Sequence, residues 1–225
     1  GRYRLGRGCY DEAAIGAICR VFDAPHKPQP TGLSLRLIEH LDFLEDHLCP
    51  GARITICSGY RNPEYNRQLR NQGELAAEAS LHQYGMAADL RMHGVSARRL
   101  WDYVKALGFG GAGYYHGDVV HVDVGPARSW DEQTSGVGTG ISDHNKLIGL
   151  VTDYDVYLPG EAMNLRFIRM TAFPVGVASE FALDLETGPD TARQVAAFKP
   201  AFAVSEEGEC RRFYDNPQMA FIRWR

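Results

Sequence analysis

Ser80-Leu81-His82-Gln83-Tyr84-Gly85-Met86-Ala87-Ala88-Asp89-Leu90 opens polar, turns at Gly85 and continues as a short apolar run. Met86 to Arg91 reads as a strand, and His82 sits in the loop before it. The turn at Gly85 folds loop over strand, so His82 and Asp89 can converge although seven positions separate them. A second stretch, Asp118-Val119-Val120-His121-Val122-Asp123-Val124-Gly125-Pro126, holds an alternating strand over Val119 to Val124. Strand side chains alternate between faces, so His121 and Asp123 point the same way. An imidazole and a carboxylate on a buried sheet face need partners. A metal ion would serve both. Two histidines and one aspartate with an open fourth position is a catalytic zinc pattern, whereas closed structural sites favour cysteine. Plainer readings stand beside this one. A lone strand histidine is more often a core or surface residue, and Asp89 alone can pair with Arg91 or Arg61.

The flanking sequence supplies the frame. Asp11 to Phe22 forms a short helix, and Pro25, Pro28 and Pro30 break the pattern after it. Leu35, Leu37, Ile38, Leu41 and Leu44 make Leu33 to Leu48 an amphipathic helix, ended by Pro50-Gly51. Arg53 to Cys57 is a short β-branched strand. Asn62 to Asn71 is helical with Pro63 in its first turn. Ser96 to Leu107 is a helix with Ser96 as N-cap and Gly108 at its end. Residues 1–130 therefore read as an α+β domain with helices beside a small antiparallel sheet.

The character changes after Trp130. Residues 131–140 are polar and Gly-rich, a linker or surface loop. Strand-like runs follow at Leu147–Tyr157, Asn164–Phe173, Glu180–Glu186 and Met219–Trp224, with a turn at Leu158-Pro159-Gly160-Glu161. Their spacing predicts a β-sandwich-like module over 141–225, of unassigned role.

Bulk properties exclude several classes. The chain has 225 residues, 44% hydrophobic and 23% charged, which is ordinary for a globular protein with a real core. A formal net charge of −4 gives no electrostatic reason to expect nucleic acid. No run of about 18 apolar residues predicts a transmembrane helix. Five scattered cysteines, Cys9, Cys19, Cys49, Cys57 and Cys210, form no Cys-x-x-Cys pair and argue against a thiolate zinc site. One or two disulfides, or buried free thiols, both fit. The opening Gly1-Arg2-Tyr3-Arg4-Leu5-Gly6 has no Met and no apolar signal core. That fits a trimmed chain or a processed leader and is neutral on secretion.

Four motifs stand in order: Ser58-Gly59-Tyr60-Arg61, the Ser80-to-Asp89 segment, Gly110-Gly111-Ala112-Gly113-Tyr114-Tyr115, and VHVDVGPARSW from Val120 to Trp130. Together they resemble the D-Ala-D-Ala metallopeptidases, a family that includes VanX-like dipeptidases and shares a metal-binding fold with the hedgehog signalling domain. The likeness is strongest to the periplasmic murein endopeptidase branch and covers roughly residues 33 to 130.

The resemblance implies that His82, Asp89 and His121 ligate Zn²⁺. It implies that Arg61 steadies the substrate carbonyl and the oxyanion. Ser80 would fix the His82 loop, and His116 is a candidate substrate-binding residue. Two positions compete for the general base: Asp118, three residues before the last histidine, and Asp123, two after it. Asp118 is the favoured of the two, and Asp123 can instead be a carboxylate that supports the ligands. The implied reaction is hydrolysis of stem-peptide cross-links in peptidoglycan by a metal-activated water, in a periplasmic or secreted protein. Two alternatives remain: a D,D- or L,D-carboxypeptidase or dipeptidase on small muropeptides, and a non-catalytic, zinc-stabilised wall-binding module.

Overall fold

The computed structural model describes residues 3–6, 9–26, 32–74, 76–134, 147–152, 154–163, 165–173, 175–178, 181–185, 194–198, 210–213 and 223–224. Two short strands, β1 (Arg4–Gly6) and β2 (Cys9–Tyr10), pair ahead of helix α1 (Glu12–Val21). Asp11 caps that helix through the amides of Ala13 and Ala14. Helix α2 (Leu35–Leu48) buries Leu37, Leu41, Leu44 and Leu48 at spacings of four, three and four, a single stripe. Strand β3 (Ile54–Ser58) leads to α3 (Pro63–Asn71), which starts at the Asn62 cap. A single 3₁₀ turn over Leu81–Tyr84 precedes β4 (Ala87–Met92). Helix α4 (Ala97–Leu107) runs from the Ser96 cap to Gly108, whose φ of +63° is a left-handed helix end. Strands β5 (Gly111–Tyr114), β6 (Val120–Asp123) and β7 (Arg128–Asp131) complete a five-stranded sheet of order β3-β4-β6-β5-β7.

The register of this sheet separates its two faces. Leu90 lies opposite Val120, and Ala88 opposite Val122, which in turn faces Ala112 on β5. These residues are buried and join the α2 stripe, Leu100 and Val104 in one core. The alternate positions, Asp89 opposite His121 and Ala87 opposite Asp123, form the other face. One face thus holds the core and the other the polar chemistry.

Two expectations need correction. The sheet is mixed, because β7 pairs parallel to β5. The chain reverses after β6, whose neighbours are already β4 and β5, and so returns along the open edge of β5. Strand β5 itself is absent from the sequence reading, because its Gly-Ala-Gly core lacks the β-branched and aromatic residues that mark strands. Its glycines are there for close approach. A Cβ on Gly111 would lie 2.2 Å from Asp123 Oδ2, and one on Gly113 would lie 2.4 Å from the Trp130 ring.

Beyond the sheet, β8 (Ile148–Thr152), β9 (Leu165–Arg169) and β14 (Arg223–Trp224) make a three-stranded antiparallel sheet. Strands β10 (Val175–Ala178) with β13 (Cys210–Phe213), and β11 (Phe181–Leu185) with β12 (Gln194–Phe198), form two further antiparallel pairs. The turn at Leu158 is closed by the Glu161 amide on the Leu158 carbonyl, 3.0 Å. The ends of the Glu180–Glu186 and Met219–Trp224 runs, and residues 135–140 of the expected linker, lie outside the described residues. So do the side chains whose packing would define a sandwich. Ile168 and Met170 belong to the same buried core as β4 and β6. The Arg169 amide donates to the Tyr84 hydroxyl at 3.0 Å, and Arg36 pairs with Asp155 at 2.5 Å. Cys9, Cys19, Cys49 and Cys57 are free thiols, so none of the four is in a disulfide.

Candidate metal centre

The 3₁₀ turn that carries His82 is built locally. Ser80 caps it, its hydroxyl accepting the His82 amide at 3.3 Å, and Gly85 ends it in a left-handed conformation. The Arg61 amide binds the His82 carbonyl at 3.1 Å, which ties the Ser58–Arg61 segment to the turn. His82 is buried, and its Nδ1 lies 2.7 Å from the Gly59 carbonyl oxygen. A carbonyl only accepts, so Nδ1 carries the proton and Nε2 presents its lone pair.

His121 is fixed in the same way from the other side. Its Nε2 lies 2.8 Å from Asp123 Oδ2, and Arg128 binds that carboxylate through Nη1 to Oδ1 at 2.9 Å and Nη2 to Oδ2 at 2.6 Å. The Gly111 and Gly125 amides also donate to Asp123 Oδ1, at 3.0 and 2.9 Å. Asp123 is fully buried and acts only as an acceptor here. With Nε2–H given to Asp123, His121 turns Nδ1 inward. His82 Nε2 and His121 Nδ1 are 3.3 Å apart, with Asp89 Oδ1 3.0 Å from His121 Nδ1 and Asp89 Oδ2 3.5 Å from His82 Nε2.

Two imidazole lone pairs and a carboxylate thus converge in a buried place, where each would repel the next without positive charge between them. The three ligand atoms lie within 4.8 Å of one another. The donor set, two nitrogens and one oxygen, suits zinc. The His121–Asp123 bond is the familiar support of a metal-binding histidine. The residues therefore fit a metal ion.

In the ion-free protein a proton on His121 Nδ1 supplies that positive charge. Burial works against charge on Asp89, but His82 and His121 outweigh it and hold its pKa well below the usual carboxylate range. Burial lowers the pKa of His82. For His121 burial acts downward too, but its bonds to Asp123 and Asp89 prevail and raise it. Asp123 resists its own burial through His121 and Arg128 and stays ionised. Burial, then the charge of Asp89, pushes the Tyr115 phenol far above its ordinary value.

The other expected site residues are placed as follows. Arg61 lies on Asp89, its Nη2 donating to Oδ2 at 2.5 Å and its Nε to Ser58 Oγ at 2.9 Å. Its Nη1 has no hydrogen bond among the described residues. Ser80 is buried beneath the turn. Asp118 is exposed and pairs with Arg91 at 2.7 Å. Arg91 is two residues from Asp89 on β4, so it projects from the same face, roughly 7 Å along the strand. His116 is not brought to the three ligands. It has a φ of +58°, and its Nε2 binds Asp131 Oδ1 at 2.5 Å.

Three residues with evident work here have no role in the sequence reading. Arg128 anchors Asp123. The Trp130 ring lies 4.7 Å from His121, and the Tyr115 hydroxyl donates to Asp89 Oδ1 at 3.2 Å. All three sit within quoted motifs. Their residue types alone do not say which carboxylate or ring they meet.

A family model described as peptidoglycan L,D-endopeptidase MepK matches residues 3–130. The chain belongs to this family. The peptidoglycan L,D-endopeptidase MepK of Escherichia coli (strain K12) is 33% identical over 95 residues, which are 42% of this chain and 52% of that protein. The probable peptidoglycan L,D-endopeptidase MepK of Haemophilus influenzae is 38% identical over 80 residues, 35% of this chain and 43% of that protein. The chain spans about half the length of the curated relatives it matches. No solved structure matches it. The MepK family is metal-dependent, and His82, Asp89 and His121 are the group in this member that can hold the ion. No helix among the described residues is long and apolar enough to cross a membrane.

Proposed function

We propose that this MepK-family chain is a zinc-dependent peptidoglycan L,D-endopeptidase, acting on stem-peptide cross-links in the periplasm or outside the cell. The observation that carries the reading is the convergence of His82 Nε2, His121 Nδ1 and the Asp89 carboxylate, each held by a fixed partner. The relatives' L,D-endopeptidase names supply the bond type.

When bound by His82, Asp89 and His121, zinc would supply a water acidic enough to ionise near neutral pH and a positive charge toward the scissile carbonyl. The protein's own groups supply the rest. Gly59 and Asp123 hold the two imidazoles in the tautomers that face inward. Arg61, anchored by Asp89 and Ser58, keeps Nη1 for the carbonyl oxygen as charge develops there. Asp118 is the proposed proton acceptor for the attacking water and returns the proton to the leaving amine. Five donor contacts and full burial speak against Asp123 for that task and support a role in orienting His121.

Incubation of the zinc-loaded protein with purified peptidoglycan, followed by mass spectrometry of the soluble products, tests the reading. Fragments from cleaved L,D cross-links are expected. Release of terminal amino acids alone would make it a carboxypeptidase, and an unchanged muropeptide profile would reduce the site to a structural or wall-binding one.

A further inference from the structure

Gly113 lies opposite His121 in the register of β5 and β6, and Tyr114 lies opposite Val120. Alternation then sends the two consecutive tyrosines to opposite faces of the sheet. Tyr114 goes to the helix side and stacks on Trp101, with ring centroids 5.4 Å apart. Tyr115, just past the end of β5, keeps the parity of Gly113 and reaches the face that carries Asp89. Its hydroxyl donates to Asp89 Oδ1 at 3.2 Å, while Arg61 Nη2 donates to Oδ2 at 2.5 Å.

A carboxylate has about four lone-pair directions. Arg61 takes one on Oδ2 and Tyr115 one on Oδ1. The directions left over are those toward His82 Nε2 and His121 Nδ1, 3.5 and 3.0 Å from Oδ2 and Oδ1. Two donors on opposite oxygens fix the rotation of the carboxylate about its last single bond. One donor alone would leave it free to turn about that contact. Both histidines have a fixed outer partner, Gly59 and Asp123. For Asp89 the equivalent support must come from Arg61 and Tyr115.

We propose that Tyr115 is a positioning residue for the metal ligand Asp89: its hydroxyl, with Arg61, locks the carboxylate in the orientation that binds the ion. This rests on the zinc reading above. Loss of an outer-shell partner of this kind lowers metal affinity about 10–100-fold.

Tyr115→Phe keeps the ring and removes only the hydroxyl. Zinc affinity is measured by competition with a chromophoric chelator on wild type, Tyr115→Phe and Tyr114→Phe, with far-UV circular dichroism of each metal-free protein as the check on folding. We expect one zinc per wild-type chain, affinity about 10–100-fold weaker in Tyr115→Phe, and no change in Tyr114→Phe, whose ring lies on the other face. Equal affinity in wild type and Tyr115→Phe overturns the role of Tyr115 and leaves the metal site standing. An equal loss in Tyr114→Phe shows a general effect of the β5 end and overturns it as well. A wild-type protein that binds no zinc removes the metal site itself, and the role of Tyr115 with it.

Discussion

His82 and His121 each commit one ring nitrogen to an acceptor that cannot donate back, and so each presents the other nitrogen to Asp89. Removing one of the three ligands should therefore abolish zinc binding while the sheet persists. His82→Ala is expected to contain no stoichiometric metal by elemental analysis and to show no hydrolysis. Arg61→Ala separates two roles. An oxyanion donor is worth about 10²–10³ in turnover, so kcat on muropeptides at saturating zinc should fall by that factor, and zinc affinity should weaken as well because Arg61 is the second donor on Asp89. A normal kcat at saturating zinc would leave Arg61 only as an anchor for Asp89. The two aspartates should also part. Asp118→Asn, at an exposed position paired among the described residues to Arg91, should bind zinc normally and be nearly inactive. Asp123→Asn loses charge against Arg128 and the acceptor for His121 Nε2–H, so weaker metal binding and lower stability are expected. Normal zinc affinity in Asp123→Asn would remove it from the support of His121.

At the scale of elements, α2 offers a pH test that is independent of the chemistry. His40 is buried on its core side against Phe109, and burial lowers its pKa. The unfolded chain then takes up a proton, as pH falls through about 6.5, that the folded chain refuses until its own lower pKa. Stability from His40 is present above that range and is lost as pH falls through it, with a slope of at most about 1.4 kcal/mol per pH unit. Chemical denaturation between pH 7.5 and 5, with a chelator present throughout so that His82 and His121 contribute alike, should show a shallower fall for His40→Leu than for wild type. Identical slopes would mean that His40 is not buried as described. The helix itself is legible in the sequence, because Leu37, Leu41, Leu44 and Leu48 repeat at helical spacing. Helices with a capping residue were equally readable: Asp11, Asn62 and Ser96 each accept an amide of the first turn. The site is legible up to its ligand types, since period two places His121 and Asp123 together and Gly85 turns His82 toward Asp89. What periodicity does not carry is β5, whose glycines answer to the bulk of Asp123 and Trp130 rather than to strand propensity. Nor does it carry the pairing of Arg128 with Asp123 or of Tyr115 with Asp89, which depends on strand order.

For the whole molecule, the sequence pattern proposes residues 141–225 as a separate module that holds or selects the polymer, and the competing reading is a cover for the domain ahead of them. A tethered module would raise the effective concentration of substrate without touching the core. In the structure β9 does touch it. Ile168 is 2% exposed and Met170 6%, both within the core that contains Leu90 and Val122. The Arg169 amide is bonded to Tyr84, and Tyr84 ends the 3₁₀ turn that carries His82. Cutting the chain after Trp130 would uncover that apolar surface and remove Arg169 from the Tyr84 hydroxyl, on the turn that carries His82. The truncated protein is therefore expected to aggregate or to unfold well below the full chain. A milder test keeps the chain whole. Ile168→Ala should cost about 2–5 kcal/mol by chemical denaturation, the range for an aliphatic side chain removed from a packed core. A surface-exposed position of the same strand pair, Leu150→Ala at 55% exposure, should cost far less. If Ile168→Ala were as mild as Leu150→Ala, and the truncated protein soluble with zinc bound, β9 would not be part of the catalytic core. The module reading would then stand, with activity on intact sacculi as the property to compare.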